Sequence, residues 1–81
     1  MASITIHPHA KIRMQERGAT KREVTAAVRE GEQFRAKFGR VGFRMNFPAR
    51  GNRMYQTKQV EAYGVKEDKA LVIITVIVKY F

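Results

Sequence analysis

Gln33-Phe34-Arg35-Ala36-Lys37-Phe38-Gly39-Arg40-Val41-Gly42-Phe43-Arg44-Met45-Asn46-Phe47 is the stretch where the pattern of the chain changes. From Gln33 apolar residues recur at every second position: Phe34, Ala36 and Phe38 alternate with Arg35 and Lys37, then Phe43, Met45 and Phe47 with Arg44 and Asn46. Period two is the signature of strands that bury one face. With Gly39-Arg40-Val41-Gly42 as the turn, the segment predicts a hairpin in which Phe38 faces Phe43, Ala36 faces Met45 and Phe34 faces Phe47. The same register sets Lys37 against Arg44 and Arg35 against Asn46, a cationic face behind an apolar one. Like charges so placed cost roughly 0.2–1 kcal/mol per pair. A bound anion would offset that cost, and long side chains can also relieve it by splaying into water.

Upstream, the period is helical. Ile4-Thr5-Ile6 reads as a short strand, and Pro8 suits the first turn of a helix running to about Arg17. Gly18 can take the left-handed conformation that ends it. Thr20 with Glu23 three residues on is a capping box, which starts a second helix that runs to about Glu30 and stops at Gly31. On that helix Val24, Ala27 and Val28 share one face.

Downstream, Pro48 to Asn52 is turn-rich, Tyr55 to Tyr63 reads as a long strand, and Gly64-Val65-Lys66-Glu67-Asp68 as a turn. Ala70 to Tyr80 is nearly all β-branched, a central strand whose even positions, Val72, Ile74, Val76, Val78 and Tyr80, are expected to meet the helices. Odd positions such as Thr75 and Lys79 are expected to face solvent or ligand. The fold class predicted is α+β: a short N-terminal strand, two helices, then a four-stranded, mostly antiparallel sheet, in a single domain over residues 1–81.

The 81 residues carry 16 Lys and Arg against 7 Asp and Glu, a net charge of +9. Between Glu32 and Glu61 no acidic residue occurs, whereas Arg35, Lys37, Arg40, Arg44, Arg50, Arg53 and Lys58 do. A regional excess of this kind attracts phosphate polymers, RNA foremost, by counterion release. There is no Cys, which excludes disulfides, thiolate metal sites and thiol nucleophiles. Met1 to Pro8 lacks leader character and no apolar run is long enough to span a bilayer. A cytoplasmic location without membrane association is the expectation.

His9, Arg13 and Arg17 stand four apart and form a stripe along the first helix, beside the face of Ala10 and Met14. No His-Glu-x-x-His pattern, nucleophile elbow or paired carboxylates accompany them, so neither a metal nor a cofactor is predicted. Metal-free RNA cleavage needs less. The substrate's 2′-OH attacks the adjacent phosphorus, a base takes its proton, cations stabilise the phosphorane, and an acid protonates the leaving oxygen. His9 is the candidate for proton transfer and Arg13 and Arg17 for bidentate phosphate contact. Arg35, Lys37, Arg44, Arg53, Lys58 and Lys79 are further candidates for contact with nucleic acid, and Tyr80 for stacking a base or packing at the end of its strand.

The segment His9-Ala10-Lys11-Ile12-Arg13-Met14-Gln15-Glu16-Arg17-Gly18-Ala19-Thr20, continued by Glu23-Val24, resembles the His-Ala-x-x-Arg-Met-x-x-Arg-Gly opening of small bacterial domains related to the RelE/ParE-like and BrnT-like toxins. That resemblance implies a toxin-like fold with two helices packed on a mostly antiparallel sheet. It also implies an mRNA-cleaving activity on free or ribosome-associated message, and a cognate antitoxin as partner. It marks His9, Arg13 and Arg17 as signature positions, with Arg13 or Arg17 open to the other role of locking the first helix to the sheet. Ala19 departs from the larger apolar residue common there, and the last strand offers only Lys79 where RelE-type sites use Arg. Two alternatives stand beside cleavage: a non-catalytic nucleic-acid-binding module, and a ParE-like toxin that acts by binding a protein target.

Overall fold

The computed structural model describes residues 3–81; Met1 and Ala2, part of the segment read above as lacking leader character, lie outside it. The elements run β1 (Ser3–Ile6), α1 (Pro8–Arg17), α2 (Lys21–Glu30), β2 (Glu32–Arg35), β3 (Val41–Pro48), β4 (Thr57–Glu67) and β5 (Ala70–Tyr80). The fold is α+β. One correction concerns strand number: the sheet has five strands in the order β1-β5-β4-β3-β2, because β1 joins it parallel to β5, pairing Ile4 with Leu71 and Ile6 with Ile73. Among the described residues no helix is long and apolar enough to cross a membrane.

Both helices end where their local chemistry dictates. His7 caps α1, its Nδ1 accepting from the His9 N–H, and Pro8 occupies the first turn. Gly18 closes α1 at φ 78°, a left-handed conformation open to glycine at little cost. Thr20 and Glu23 form the reciprocal capping box of α2, an arrangement in which the cap alone stabilises by about 1 kcal/mol.

The helices pack on one face of the sheet, α1 along β5 and α2 across β3 and β4. Ala10, Met14 and Val24 meet Phe43, Val60, Ala62, Leu71, Ile73 and Val76 in the core between them. Val24, Val60, Ile73 and Val76 are fully buried, each contributing about 1.5–3 kcal/mol of transfer free energy.

The hairpin forms with a different register from the one predicted. Arg35 pairs with Val41, Phe34 with Gly42, Gln33 with Phe43 and Glu32 with Arg44. The turn is Lys37–Arg40, closed by the Arg40 N–H donating to the Lys37 carbonyl, and its central residues Phe38 and Gly39 both have positive φ, as type I′ turns require. Relative to the expected pairing the strands slide by an odd number of residues, so every β2 side chain changes face with respect to β3. Phe43 enters the core, while Phe34 lies on the helix-free face against the backbone of Gly42, where a Cβ would overlap its ring. The cationic face of Lys37 against Arg44 and Arg35 against Asn46 is therefore not formed. Gly42 is a point of close approach inside a strand, not a turn residue.

Two further expectations change. Gly64 is buried within β4, which continues to Glu67, and the chain turns at Asp68, whose φ of 53° an Asp tolerates. In β5 a bulge between the pairs Tyr63–Thr75 and Gly64–Ile73 leaves Ile74 unpaired. The helix-facing positions are thus Leu71 and Ile73 before the bulge and Val76 after it, so the even-numbered rule holds only for the second half.

The Phe34–Gly42 contact predicts that Gly42→Val destabilises the protein by about 1–3 kcal/mol, the usual cost of overpacking, read as a fall in melting temperature. Adding Phe34→Ala to Gly42→Val is expected to recover part of that loss.

Candidate nucleic-acid interface

The structure sorts the cationic candidates by what already neutralises them. Arg17 donates from Nη1 to the Val76 carbonyl at 2.6 Å, fastening the end of α1 to the part of β5 that β1 leaves uncovered. Of the two roles open to Arg17, the structure therefore fills the structural one. Arg13 pairs with Glu16 one turn on, at 3.2 Å and in solvent, a contact worth little.

Arg44 and Lys79 stand on the helix-free face around Glu61. Arg44 donates from Nε to Glu32 at 2.6 Å, brings Nη1 to 3.7 Å from Glu61 Oε2, and lays its guanidinium 4.5 Å from the centre of the Phe34 ring. Lys79 Nζ is 3.2 Å from Glu61 Oε1, an ion pair without hydrogen-bond alignment. Glu61 is 3 % exposed, the one buried charged side chain among the described residues. Its two cations make that burial tolerable, so Arg44 and Lys79 have internal counter-ions.

At one end of the sheet, a cleft of about 810 Å3 opens between the start of α2 and the β3–β4 loop. Arg22 and Glu23 line it from α2, Phe47 and Pro48 from β3, Arg50 and Arg53 from the loop, and Lys58 and Tyr80 from β4 and β5. The fold brings these together through Lys58, whose ammonium donates to the Gly18 carbonyl and to Glu23 Oε1, at 2.9 Å in the latter case, tying the α1–α2 corner to β4. Tyr55 stands beside Tyr80 with ring centres 6.0 Å apart. Arg22, Arg50 and Arg53 are exposed, and among the described residues none has an ion-pair partner.

The cleft contains one carboxylate, already engaged. Burial raises the Glu23 pKa, but hydrogen bonds from the Thr20 backbone and Lys58, with the Lys58 charge and the Thr20 hydroxyl, outweigh it and hold the group below its ordinary value. Glu23 therefore stays ionised and bound within the fold, leaving the three arginines to face an external anion.

Of the residues expected from sequence, Arg53, Lys58 and Tyr80 meet in this cleft. Arg35 and Lys37 lie exposed by the β2–β3 turn, Arg44 and Lys79 on the helix-free face, and His9 at the far end of α1. From His9 to Gly18 the helix extends roughly 13 Å at 1.5 Å per residue. His9 stacks on His7 with ring centres 5.9 Å apart, both exposed. Arg22 and Arg50 are the members that sequence reading did not single out for contact. Arg50 had a signal in the acid-free stretch, whereas Arg22 is brought to the site only by the position of α2.

Two outcomes follow. Arg17→Ala is expected to lower stability by about 1.5 kcal/mol, the scale of a hydrogen bond from a charged donor, and Arg13→Ala by less than about 0.5 kcal/mol, both read by denaturant unfolding. A carboxylate with a depressed folded pKa adds stability that is complete above its unfolded pKa and lost as pH falls through the folded one. The difference in melting temperature between the protein and its Glu23→Gln variant should thus be greatest near neutral pH and shrink in acid. No protein-family model, curated protein or solved structure matches the chain, so the site is read from its own geometry.

Proposed function

We propose that this is a toxin-like RNA-binding protein that holds single-stranded RNA in the cleft between α2 and the β3–β4 loop. The observation that carries the reading is the convergence there of three guanidinium groups without internal counter-ions, Arg22, Arg50 and Arg53, beside the Tyr55–Tyr80 pair. Guanidinium forks suit phosphate oxygens, and exposed aromatic rings stack unpaired bases of any sequence. Binding releases condensed counterions, which makes the net charge of +9 productive at one place.

RNA cleavage is the second reading, and the resembled motif favours it in a specific way. Ala10 and Met14 are buried, Arg17 fastens the helix and Gly18 ends it, so the fold accounts for these four positions. The side chains of His9 and Arg13 stay on the surface on successive turns of α1, engaged only by the exposed His7 ring and by Glu16 in solvent. In this reading His9 moves the proton of the attacking 2′-OH or of the leaving oxygen, and Arg13 contacts the phosphate, with RNA led along α1 from the cleft. A small antitoxin with acidic residues is the partner this toxin-like reading implies, covering the unpaired arginines.

Titrating a single-stranded RNA at several salt concentrations tests binding. Replacing Arg22, Arg50 and Arg53 together by Ala is expected to lower the slope of log K against log salt by about 2, at ~0.7 per phosphate contact on a single strand, with melting temperature little changed. An unchanged slope would remove the cleft from consideration. If His9→Ala retains binding but abolishes cleavage, the second reading stands, and absence of cleavage by the unaltered protein on free or ribosome-bound RNA leaves binding alone.

A further inference from the structure

At the opposite end of β3 from the cleft, the β2–β3 turn holds the most exposed aromatic side chain of the described residues, Phe38, 87 % accessible. Its φ of 61° is left-handed, a conformation that is a true outlier for a bulky side chain. The following Gly39 also has positive φ, so the tight turn would form more easily with Asn or Gly in place of Phe. The strain has little return in packing, since the ring is in solvent apart from the Arg40 guanidinium 5.9 Å from its centre. Strain of this kind, retained where the fold gains little from it, directs attention to a ligand.

Beside the ring is a shallow hollow of about 470 Å3 on the helix-free face. Phe34 and Tyr63, packed edge to face with centres 5.8 Å apart, Thr75 and Ile77 line it together with Phe38. Arg35 at the end of β2, with Lys37 and Arg40 from the turn, lines the same hollow, and the Arg40 guanidinium sits 5.9 Å from the Phe38 ring centre. No ion pair engages Arg35, Lys37 or Arg40 among the described residues. An apolar hollow walled by aromatic rings, carrying two hydroxyl-bearing side chains and edged by three cations, matches a planar heteroaromatic group attached to a phosphate.

We propose that this hollow is a nucleobase pocket, in which an unstacked base of a single strand lies against Phe38 while Arg35, Lys37 and Arg40 hold its flanking phosphates. The inference rests on the RNA-binding reading and adds a second contact point, one that recognises bases and not charge alone. It gives Arg35 and Lys37 a shared ligand at the turn in place of the cationic strand face that the register does not form.

The test uses the full chain, a single-stranded RNA 12-mer carrying a central 2-aminopurine, and inorganic polyphosphate as a polyanion without bases. Phe38→Ala is expected to weaken RNA binding roughly five- to hundredfold, the range for losing one stacked base, and to abolish the fluorescence change of the 2-aminopurine. Polyphosphate affinity should stay as it was, and Phe38→Trp should restore RNA binding. Phe38→Gly removes the conformational strain, so it should melt at or above the temperature of the unaltered protein while losing RNA affinity as Phe38→Ala does. Equal RNA binding by the Phe38→Ala and unaltered proteins overturns the pocket and leaves the cleft standing. So does a Phe38→Ala variant that binds RNA normally but loses a protein partner. Failure of the unaltered protein to bind RNA even at low salt overturns the RNA-binding reading and the pocket with it.

Discussion

Phe34 lies on the backbone of Gly42, and only a residue without a side chain allows the ring to come so near. That contact helps set the register of β2 on β3, and most of what distinguishes the two faces of the sheet follows from it. With Phe34 on the helix-free side, Phe43 is left to fill the core. Arg44 comes opposite Glu32 on one strand and Glu61 on the other, so its guanidinium is shared by two carboxylates and stacked on Phe34. The turn is moved toward the N-terminus, and Phe38 is carried to its tip. A slide by one residue would undo all of these at once, since the side-chain period of a strand is two.

The charge of the protein is consequently of two kinds. Arg17, Arg44, Lys58 and Lys79 are drawn into the fold, by a strand carbonyl, by Glu32 and Glu61, by Glu23 with the end of α1, and by Glu61 again. Arg22, Arg50 and Arg53 at one end, with Arg35, Lys37 and Arg40 at the other, have no such partners among the described residues. Net charge alone does not separate these groups. Their separation matters for function because a cation bound to an internal carboxylate must exchange partners to bind phosphate, while an unpaired surface cation gives up only water and mobile counterions.

The helices were legible because their signals are local: Pro8, Gly18 and the Thr20–Glu23 box act over single turns, and both helices end where those residues put them. The span of β5 was legible because a run rich in β-branched residues favours a strand over a helix. The hairpin register was not, since alternation specifies a period and leaves its phase between two strands undetermined; a glycine that signals a turn by composition serves here as the floor beneath Phe34. The bulge at Ile74 was hidden for a related reason, because in an apolar run both faces look alike and a change of parity leaves no trace. Within the site, Arg53, Lys58 and Tyr80 could be named from charge and position. That Lys58 closes a corner, and that Arg22 joins the cleft, depends on how α2 crosses β4, a tertiary fact without a local signature.

These two groups, which are not the whole of the unpaired charge, lie at opposite ends of β3, which over eight residues extends roughly 23 Å at 3.3 Å per residue. They also open on different sides of the sheet, the cleft toward the helices and the hollow on the bare face. A rigid duplex laid along one side would meet one of them. A single strand, flexible enough to bend around the sheet and with bases free to leave the stack, can meet both, and the second contact is then made at the high effective concentration that the first imposes. Tyr55 and Tyr80 at one end and Phe38 at the other offer rings to unpaired bases, which a duplex keeps stacked within itself. On the RNA-binding proposal, the placement of charge and of exposed aromatic rings favours a single strand over a duplex by two separate physical routes.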